Sequence, residues 1–355
     1  MSDHAGHAGH ADHAGHAGHA GHADQADHAD HGIPTIDLDA PAAAAIGRAC
    51  ARVGFFQVVG HGVDDDVIDA AWTACRRFFD LPLADRLAAT QQHADDAYGY
   101  LPMEAEALER SLGDETATAR SDLKQTFNVG PWPTHPRGSA SADPAVRAVA
   151  DWAFGPTPWP PALPELEPAM RAYFEAMDAL ARRLLSLMAL ALDQPHDFFE
   201  PFVDHAPGAL RALDYPDLGD RRPAPGQLRA GAHTDYGTLT ILRQDDAPGG
   251  LEVLDPTTGE WTPVPATPGA FVVNLGDLMQ RWTNDRWRST LHRVVVPPAG
   301  SGPSRRQSMA FFHNANVDAR IEVIPSCVEP GEAPRHEPVL AGPHLMGKFL
   351  RATSS

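Results

Sequence analysis

Cysteine is scarce in this sequence, which has only Cys50, Cys75 and Cys327 in 355 residues. None of the three belongs to a CxxC pair. An odd and sparse cysteine count is also unlike a disulfide framework. We therefore expect free thiols in a reducing cytoplasm.

Basic residues and long apolar runs are also in short supply. Lys and Arg number 28 against 47 Asp and Glu, which gives a net charge of −19. Nucleic acids and anionic membranes bind basic surfaces, so neither is expected as a partner. No apolar run approaches 18 residues, and no basic segment precedes an apolar one at the N-terminus. We therefore expect neither a membrane span nor a standard secretion signal.

The first 32 residues form a low-complexity tract with a histidine at almost every third position. Such a tract can bind Zn, Ni or Cu weakly through its imidazoles. Its repeated glycines oppose a helix, and it offers nothing apolar to bury. The composition predicts a disordered tail at 1–32 without a catalytic role.

The N-terminal half mixes helical and extended patterns. Strands are predicted at 33–38 and 54–60, and residues 91–163 are interpreted as a long surface segment. Apolar residues at three- and four-residue spacing predict a long helix from Leu166 to Leu192. Further helices are predicted at 42–53, 63–79 and 83–89.

After Asp193 the helical period of apolar residues ends, and short apolar runs separated by Gly and Pro follow. The predicted strands are 209–215, 238–243, 251–254, 261–264, 270–275, 290–296, 307–312 and 320–323, with one helical turn at 277–282. This spacing is typical of a barrel or jelly roll. We predict a mainly β protein with flanking helices, in which a double-stranded β-helix (cupin-like jelly roll) follows a mixed α/β N-terminal region. The expected divisions are 33–165, 166–205, 206–330 and 331–355.

The segment His233-Thr234-Asp235 places an imidazole and a carboxylate two residues apart before a predicted strand. In an extended chain, two such side chains point the same way. They would supply two of the three ligands of a facial triad for non-haem Fe(II). His292, at the start of a strong strand pattern, is the best third ligand, whereas His313, His336 and His344 are weaker candidates. On the next strand, Arg306 and Ser308 share a face and offer donors for a carboxylate.

In this order, the motifs resemble those of the isopenicillin N synthase-like Fe(II)/2-oxoglutarate-dependent dioxygenases, over about residues 33–350. The resemblance implies iron bound by His233, Asp235 and His292, and the distal carboxylate of 2-oxoglutarate held by Arg306 and Ser308. It also implies O2 as co-substrate and ascorbate as a reductant. The motifs that carry it are 33–38, 54–62, 78–82, 233–237, 274–277, 287–294 and 306–308.

Tyr215 matches the last tyrosine of the family's Asn-Tyr-Tyr-Pro segment and is therefore expected in the co-substrate site. Leu213 and Asp214 replace the first two residues of that segment. A monomeric enzyme that oxidises an unactivated C–H bond of a small molecule is expected, by hydroxylation, desaturation or ring closure, with release of succinate and CO2. Candidate substrate contacts are Tyr98, Tyr100, Phe127, Trp282 and Phe312.

Three alternatives remain open. One is an oxidase like isopenicillin N synthase, which uses no 2-oxoglutarate and binds a substrate carboxylate with the same Arg-Ser pair. Another is ethylene formation from 2-oxoglutarate, because relatives with this activity have a similar His-Thr-Asp-Tyr-Gly segment. The third is a non-catalytic protein that binds metal through its His-rich tail.

Overall fold

The computed structural model describes residues 32–93, 96–112, 120–131, 141–219, 221–298 and 300–353. The predicted disordered tail lies outside these ranges, apart from Gly32. None of the helices in the described ranges combines the length and apolarity that a membrane crossing requires.

The helices begin and end largely where the apolar period and capping residues predict. The Asp64 side chain accepts a hydrogen bond from the Asp66 amide at 2.9 Å and caps the first turn of helix α2. The buried face of α5 carries Met170, Phe174 and Met177, and Phe174 packs edge-on against Phe311 at 5.0 Å between ring centroids. The helices are α1 (Ala43–Arg52), α2 (Asp65–Asp80), α3 (Leu83–Leu87), α4 (Pro144–Ala153), α5 (Leu166–Ala191), α6 (Glu200–Val203), α7 (Asp277–Trp282) and α8 (Ala341–Thr353).

Two sheets face each other and form the predicted double-stranded β-helix. The larger has the order β1-β2-β10-β7-β12-β5-β4-β3, the smaller has β6-β11-β8-β9, and β13 and β14 pair separately. The strands are β1 (Thr35–Asp37), β2 (Phe55–Val59), β3 (Gly99–Leu101), β4 (Gln125–Val129), β5 (Ala209–Tyr215), β6 (Ala230–His233), β7 (Leu239–Gln244), β8 (Leu251–Leu254), β9 (Trp261–Pro263), β10 (Phe271–Leu275), β11 (His292–Val294), β12 (Arg306–His313), β13 (Arg320–Ile321) and β14 (Val339–Leu340).

The interpretation of residues 91–163 as a surface segment is wrong. This segment contributes β3 and β4 to the larger sheet, and every residue of β4 is buried. It also contributes a 3-10 helix at Leu108–Leu112, which packs against β6 and α8, and the amphipathic helix α4. The error arises because β4 has polar residues at buried positions, and their partners come from distant parts of the chain.

Long-range contacts fix β4 in the interior. Gln125 donates a hydrogen bond from Nε2 to Asp214 Oδ2 at 2.8 Å, and Phe127 packs against Phe78 at 4.6 Å between ring centroids. In register, Gln125 pairs with Asp214 and Asn128 pairs with Arg211 on β5. The strand therefore brings polar side chains to the inner wall of the β-helix.

Candidate active site

His233, Asp235 and His292 lie together between the two sheets. His233 ends β6, His292 begins β11, and the two residues are direct partners in the antiparallel ladder. Their ring centroids are 4.2 Å apart, and His292 Nε2 lies 3.8 Å from Asp235 Oδ1. One ligand atom from each of the three residues lies within 4.8 Å of the others. Strand pairing alone thus brings residues from distant segments into one cluster.

Both imidazoles are oriented by backbone carbonyls. His233 Nδ1 donates to the Gly231 carbonyl at 2.7 Å, and His292 Nδ1 donates to the Thr290 carbonyl at 3.1 Å. A carbonyl only accepts, so the proton resides on Nδ1 in each ring. This leaves Nε2 of both rings with a lone pair, as a metal ligand requires.

Asp235 is oriented in a similar way. Its Oδ2 accepts hydrogen bonds from Thr240 Oγ1 and, at 2.6 Å, from Asn274 Nδ2, so Oδ1 faces the histidines. Burial by itself would raise the pKa of Asp235, but the neighbouring His292 and His233 and these two donors outweigh it and hold the pKa below its ordinary value. The carboxylate is therefore ionised at neutral pH.

Burial and the adjacent His292 lower the pKa of His233 to about 3. The imidazole is thus neutral, with its lone pair available to a cation. Two imidazoles and one carboxylate form the donor set of non-haem Fe(II) sites that keep positions open for other ligands. The residues present fit that ion, and the cluster opens onto a cavity of about 190 Å³.

Arg306, Ser308 and Tyr215 line the same cavity from the larger sheet. Arg306 and Tyr215 are register partners, and the guanidinium carbon lies 5.2 Å from the centroid of the tyrosine ring. Arg306 is 1% exposed and donates from Nη2 to Gln244 Oε1 at 2.6 Å. Its Nε and Nη1 have no hydrogen-bond partner among the described residues, although Asp245 lies 3.9 Å from Nε. A buried guanidinium with unused donors is suited to a carboxylate ligand.

Comparisons with known proteins agree with this geometry. Residues 208–315 match the 2OG-Fe(II) oxygenase superfamily, and residues 33–161 match the N-terminal region of non-haem dioxygenases in morphine synthesis. The 2-oxoglutarate-Fe(II) type oxidoreductase hxnY of Emericella nidulans is 31% identical over 86% of this chain and 83% of its own length. The chain belongs to the 2OG-Fe(II) oxygenase superfamily. It is an oxidoreductase that uses Fe(II) and 2-oxoglutarate.

Further relatives of this oxygenase include the validamycin A dioxygenase of Streptomyces hygroscopicus subsp. limoneus, 32% identical over 90% of this chain and 86% of that protein. Among solved structures, Neurospora crassa T7H in complex with alpha-KG and thymine has a TM-score of 0.73 at 28% identity, covering 89% of this chain and 96% of that one. JOX2 in complex with 2OG, Fe and JA has a TM-score of 0.70 at 27% identity, covering 91% and 86%.

The five aromatic candidates for substrate contact separate into two groups. Tyr98 and Phe312 line the oxygenase cavity. Tyr100, Phe127 and Trp282 do not line it, and the prediction that they contact substrate is corrected: all three are buried in the main hydrophobic core. Trp282 packs against Phe199 and Phe202 at about 5 Å between ring centroids. Large aromatic side chains more often fill a core than line a pocket, and sequence pattern does not separate the two cases.

Several cavity-lining residues of the oxygenase are not predicted from the sequence. Glu106, Asn128 and Arg211 line the side of the cavity away from Arg306. Asn128 and Arg211 are register partners on β4 and β5, a pairing that no local sequence pattern predicts, and Glu106 joins them through its ion pair with Arg211. Asp277, part of a recognised motif, accepts hydrogen bonds from Thr234 Oγ1, Ser289 Oγ and Lys348 Nζ. It thereby ties Thr234, which lies between His233 and Asp235, to the C-terminal helix α8.

Proposed function

We propose that His233, Asp235 and His292 bind the catalytic Fe(II), and that Arg306, with Ser308 and Tyr215, binds the distal carboxylate of 2-oxoglutarate. The observation that carries this proposal is the buried, incompletely bonded guanidinium of Arg306 in the same cavity as the His-Asp-His cluster. Bound Fe(II) supplies the oxidative chemistry, in which 2-oxoglutarate and O2 are consumed and succinate and CO2 are released.

The protein's own residues position the reactants and exclude water. Thr240 and Asn274 hold the Asp235 carboxylate, and backbone carbonyls hold both imidazoles. Phe55 packs edge-on against His292 at 5.3 Å between centroids and covers one side of the cluster. The remaining cavity takes a small organic molecule and directs one of its C–H bonds toward the metal-binding end.

The oxidation product depends on the cavity wall and not on the three ligands. The relatives named above include a dioxygenase of validamycin A and structures with thymine and JA, which are chemically different molecules. We therefore propose a small organic substrate for this chain, oxidised by hydroxylation, desaturation or ring closure, and a monomeric, cytoplasmic enzyme. Light scattering on the purified chain tests the monomer.

The test is a succinate-release screen with Fe(II)-loaded protein and a panel of small molecules. The proposal requires succinate and oxidised substrate in equal amounts. Substrate oxidation without 2-oxoglutarate would indicate an oxidase like isopenicillin N synthase. Ethylene released from 2-oxoglutarate would indicate the ethylene-forming alternative.

Deletion of residues 1–32 tests the remaining alternative, a non-catalytic protein that binds metal through its tail. All residues of the proposed site lie between Tyr215 and Ser308, so we expect turnover to survive the deletion. Loss of turnover in a folded, iron-loaded protein would contradict this assignment.

A further inference from the structure

Two cavity-lining side chains have buried polar atoms without a hydrogen-bond partner among the described residues. One is Arg306, for which 2-oxoglutarate is proposed as the ligand, and the other is Asn128. Asn128 is 5% exposed, and its carboxamide oxygen is the unpartnered atom. Native proteins rarely bury an unpaired polar atom, because its desolvation is not compensated. Asn128 therefore points to a second ligand in the same cavity.

The two side chains lie at different ends of strand β5. Arg306 pairs in register with Tyr215, and Asn128 pairs with Arg211. These two positions on β5 are four residues apart, which corresponds to about 13 Å along a strand. That separation exceeds the length of a five-carbon dicarboxylate, so 2-oxoglutarate bound at Arg306 does not reach Asn128. The second ligand is therefore the substrate.

The charges beside Asn128 are balanced. The Arg211 guanidinium contacts the Glu106 carboxylate at 3.2 and 3.3 Å. Lys124 Nζ contacts Glu106 at 3.3 Å and also pairs with Asp122. Two cations and two carboxylates leave no excess positive charge to attract a substrate carboxylate. This end of the cavity is thus suited to an uncharged polar group.

Most of the lining of this cavity is apolar. Phe312 and Phe349 line the cavity with Leu345 and Pro207. Tyr98 presents its ring, because its hydroxyl donates to the Ala153 carbonyl at 2.6 Å. Aromatic walls suit a compact ring, and the few polar groups suit one or two directed hydrogen bonds that fix its orientation.

We propose that this end of the cavity recognises an uncharged cyclic amide, a lactam or an imide, through Asn128 and Arg211. The amide N–H donates to the Asn128 carboxamide oxygen. The amide carbonyl accepts from an Arg211 N–H, because a guanidinium has five N–H donors and Glu106 occupies only part of them. The inference rests on the proposed function, since it assigns the substrate class of the same cavity.

Anaerobic calorimetry on the full chain, loaded with Fe(II) and 2-oxoglutarate, tests the proposal without turnover. The probes are 2-piperidone, glutarimide and uracil, their N-methylated forms, and the carboxylates benzoate and cyclohexanecarboxylate. At least one cyclic amide is expected to bind about 10-fold more tightly than its N-methylated form, the effect of one hydrogen bond. It is also expected to bind more tightly than either carboxylate.

Asn128→Ala is expected to abolish this preference for the N–H form. Thr126→Val is the matched control, because Thr126 lies two residues earlier on β4 and does not line the cavity. Its buried hydroxyl oxygen likewise has no hydrogen-bond partner within the described ranges. The control should retain the preference.

Tighter binding of a carboxylate, a preference that persists in Asn128→Ala, or failure of every amide to bind would overturn the inference. The initial 2-oxoglutarate titration separates the two proposals. If 2-oxoglutarate itself does not bind, the proposed function fails. If it binds and the amides do not, only the substrate class is wrong.

Discussion

The proposed metal-binding end and the proposed ligand-binding wall of the cavity differ in how completely their polar groups are hydrogen-bonded. At the metal-binding end, both Nδ1 atoms and Asp235 Oδ2 have partners, and only the atoms that face the cluster remain available. On the opposite wall, Arg306 and Asn128 are buried and have polar atoms with no hydrogen-bond partner in the part of the chain that the structure describes. One region is held in place by the fold, and the other is completed by what it binds.

Because of this difference, the free energy of ligand binding has a different source at each of the two regions. The triad is oriented before any ligand arrives, which reduces the entropy lost on metal binding. The wall leaves buried polar groups unsatisfied, so a matched ligand recovers the cost of their desolvation. Substitutions should therefore affect metal-dependent turnover at one region and ligand affinity at the other.

The largest expected effect is that of Asp235→Asn. The amide keeps the shape of the side chain but removes the ligand's negative charge, and we expect turnover to fall at least ~100-fold at any 2-oxoglutarate concentration. Succinate release measures the loss, and the melting temperature verifies the fold. Thr234→Val is a control, because its hydroxyl contacts Asp277 and not the cluster. Near-normal turnover in Asp235→Asn would remove this residue from the proposed triad.

Arg306→Ala should act on the opposite wall. We expect the KM for 2-oxoglutarate to rise ~10- to 100-fold, because charge-assisted hydrogen bonds to one carboxylate are lost. Arg305→Ala is the matched control, since the neighbouring guanidinium pairs with Asp214 and Asp80. An unchanged 2-oxoglutarate requirement in Arg306→Ala would contradict the assigned carboxylate site.

Asn274→Ala tests whether hydrogen bonds orient the proposed metal ligands before the metal binds. It removes the 2.6 Å hydrogen bond to Asp235 Oδ2 and leaves all three proposed ligands intact. We expect the iron concentration for half-maximal turnover to rise about 10-fold, the lower end of the usual effect for groups that orient a metal ligand. The KM for 2-oxoglutarate measured at saturating iron should stay the same; a rise there instead would mean that the two regions are coupled.

Substitution of His313 tests whether a buried polar atom without a hydrogen-bond partner among the described residues always indicates a ligand site. His313 Nε2 has no hydrogen-bond partner in the described part of the chain, and Asp178 Oδ1 lies 4.0 Å away. The residue does not line the cavity, and burial lowers its pKa to about 4. The unfolded chain protonates this histidine near pH 6.5 and the folded protein only near pH 4, so stability is lost as pH falls through that window.

For His313→Gln we expect unchanged turnover at pH 7. Between pH 7 and pH 5, the free energy of unfolding should fall by about 2 kcal/mol less than in the wild type. Denaturant titrations at the two pH values measure this difference. If the free energy of unfolding falls equally in both proteins, a group other than His313 causes the acid sensitivity.

Much of the architecture could be predicted because its signals are local. Short apolar runs bounded by Gly and Pro predict the strands of the β-helix, and the period of α5 predicts a helix one residue longer than observed. His233, Asp235 and His292 belong to motifs that sit at strand ends, and the structure places them in one cluster.

The cavity wall opposite the triad could not be predicted in the same way. Gln125 and Asn128 are polar residues in a fully buried strand, and the buried Lys124 directly precedes it, so their pattern indicates surface. Their partners, such as Asp214, lie far along the chain. Local sequence does not encode which distant strand will pair with them, and the charge balance around Asn128 depends on that pairing.

The direct pairing of His233 with His292 also constrains folding. Side chains alternate across a strand, so a slip of one residue between β6 and β11 turns one imidazole to the opposite face. Ion affinity would then be lost along with the register. An ion that binds both imidazoles therefore favours only the correctly paired ladder, and it links two segments that are far apart in sequence.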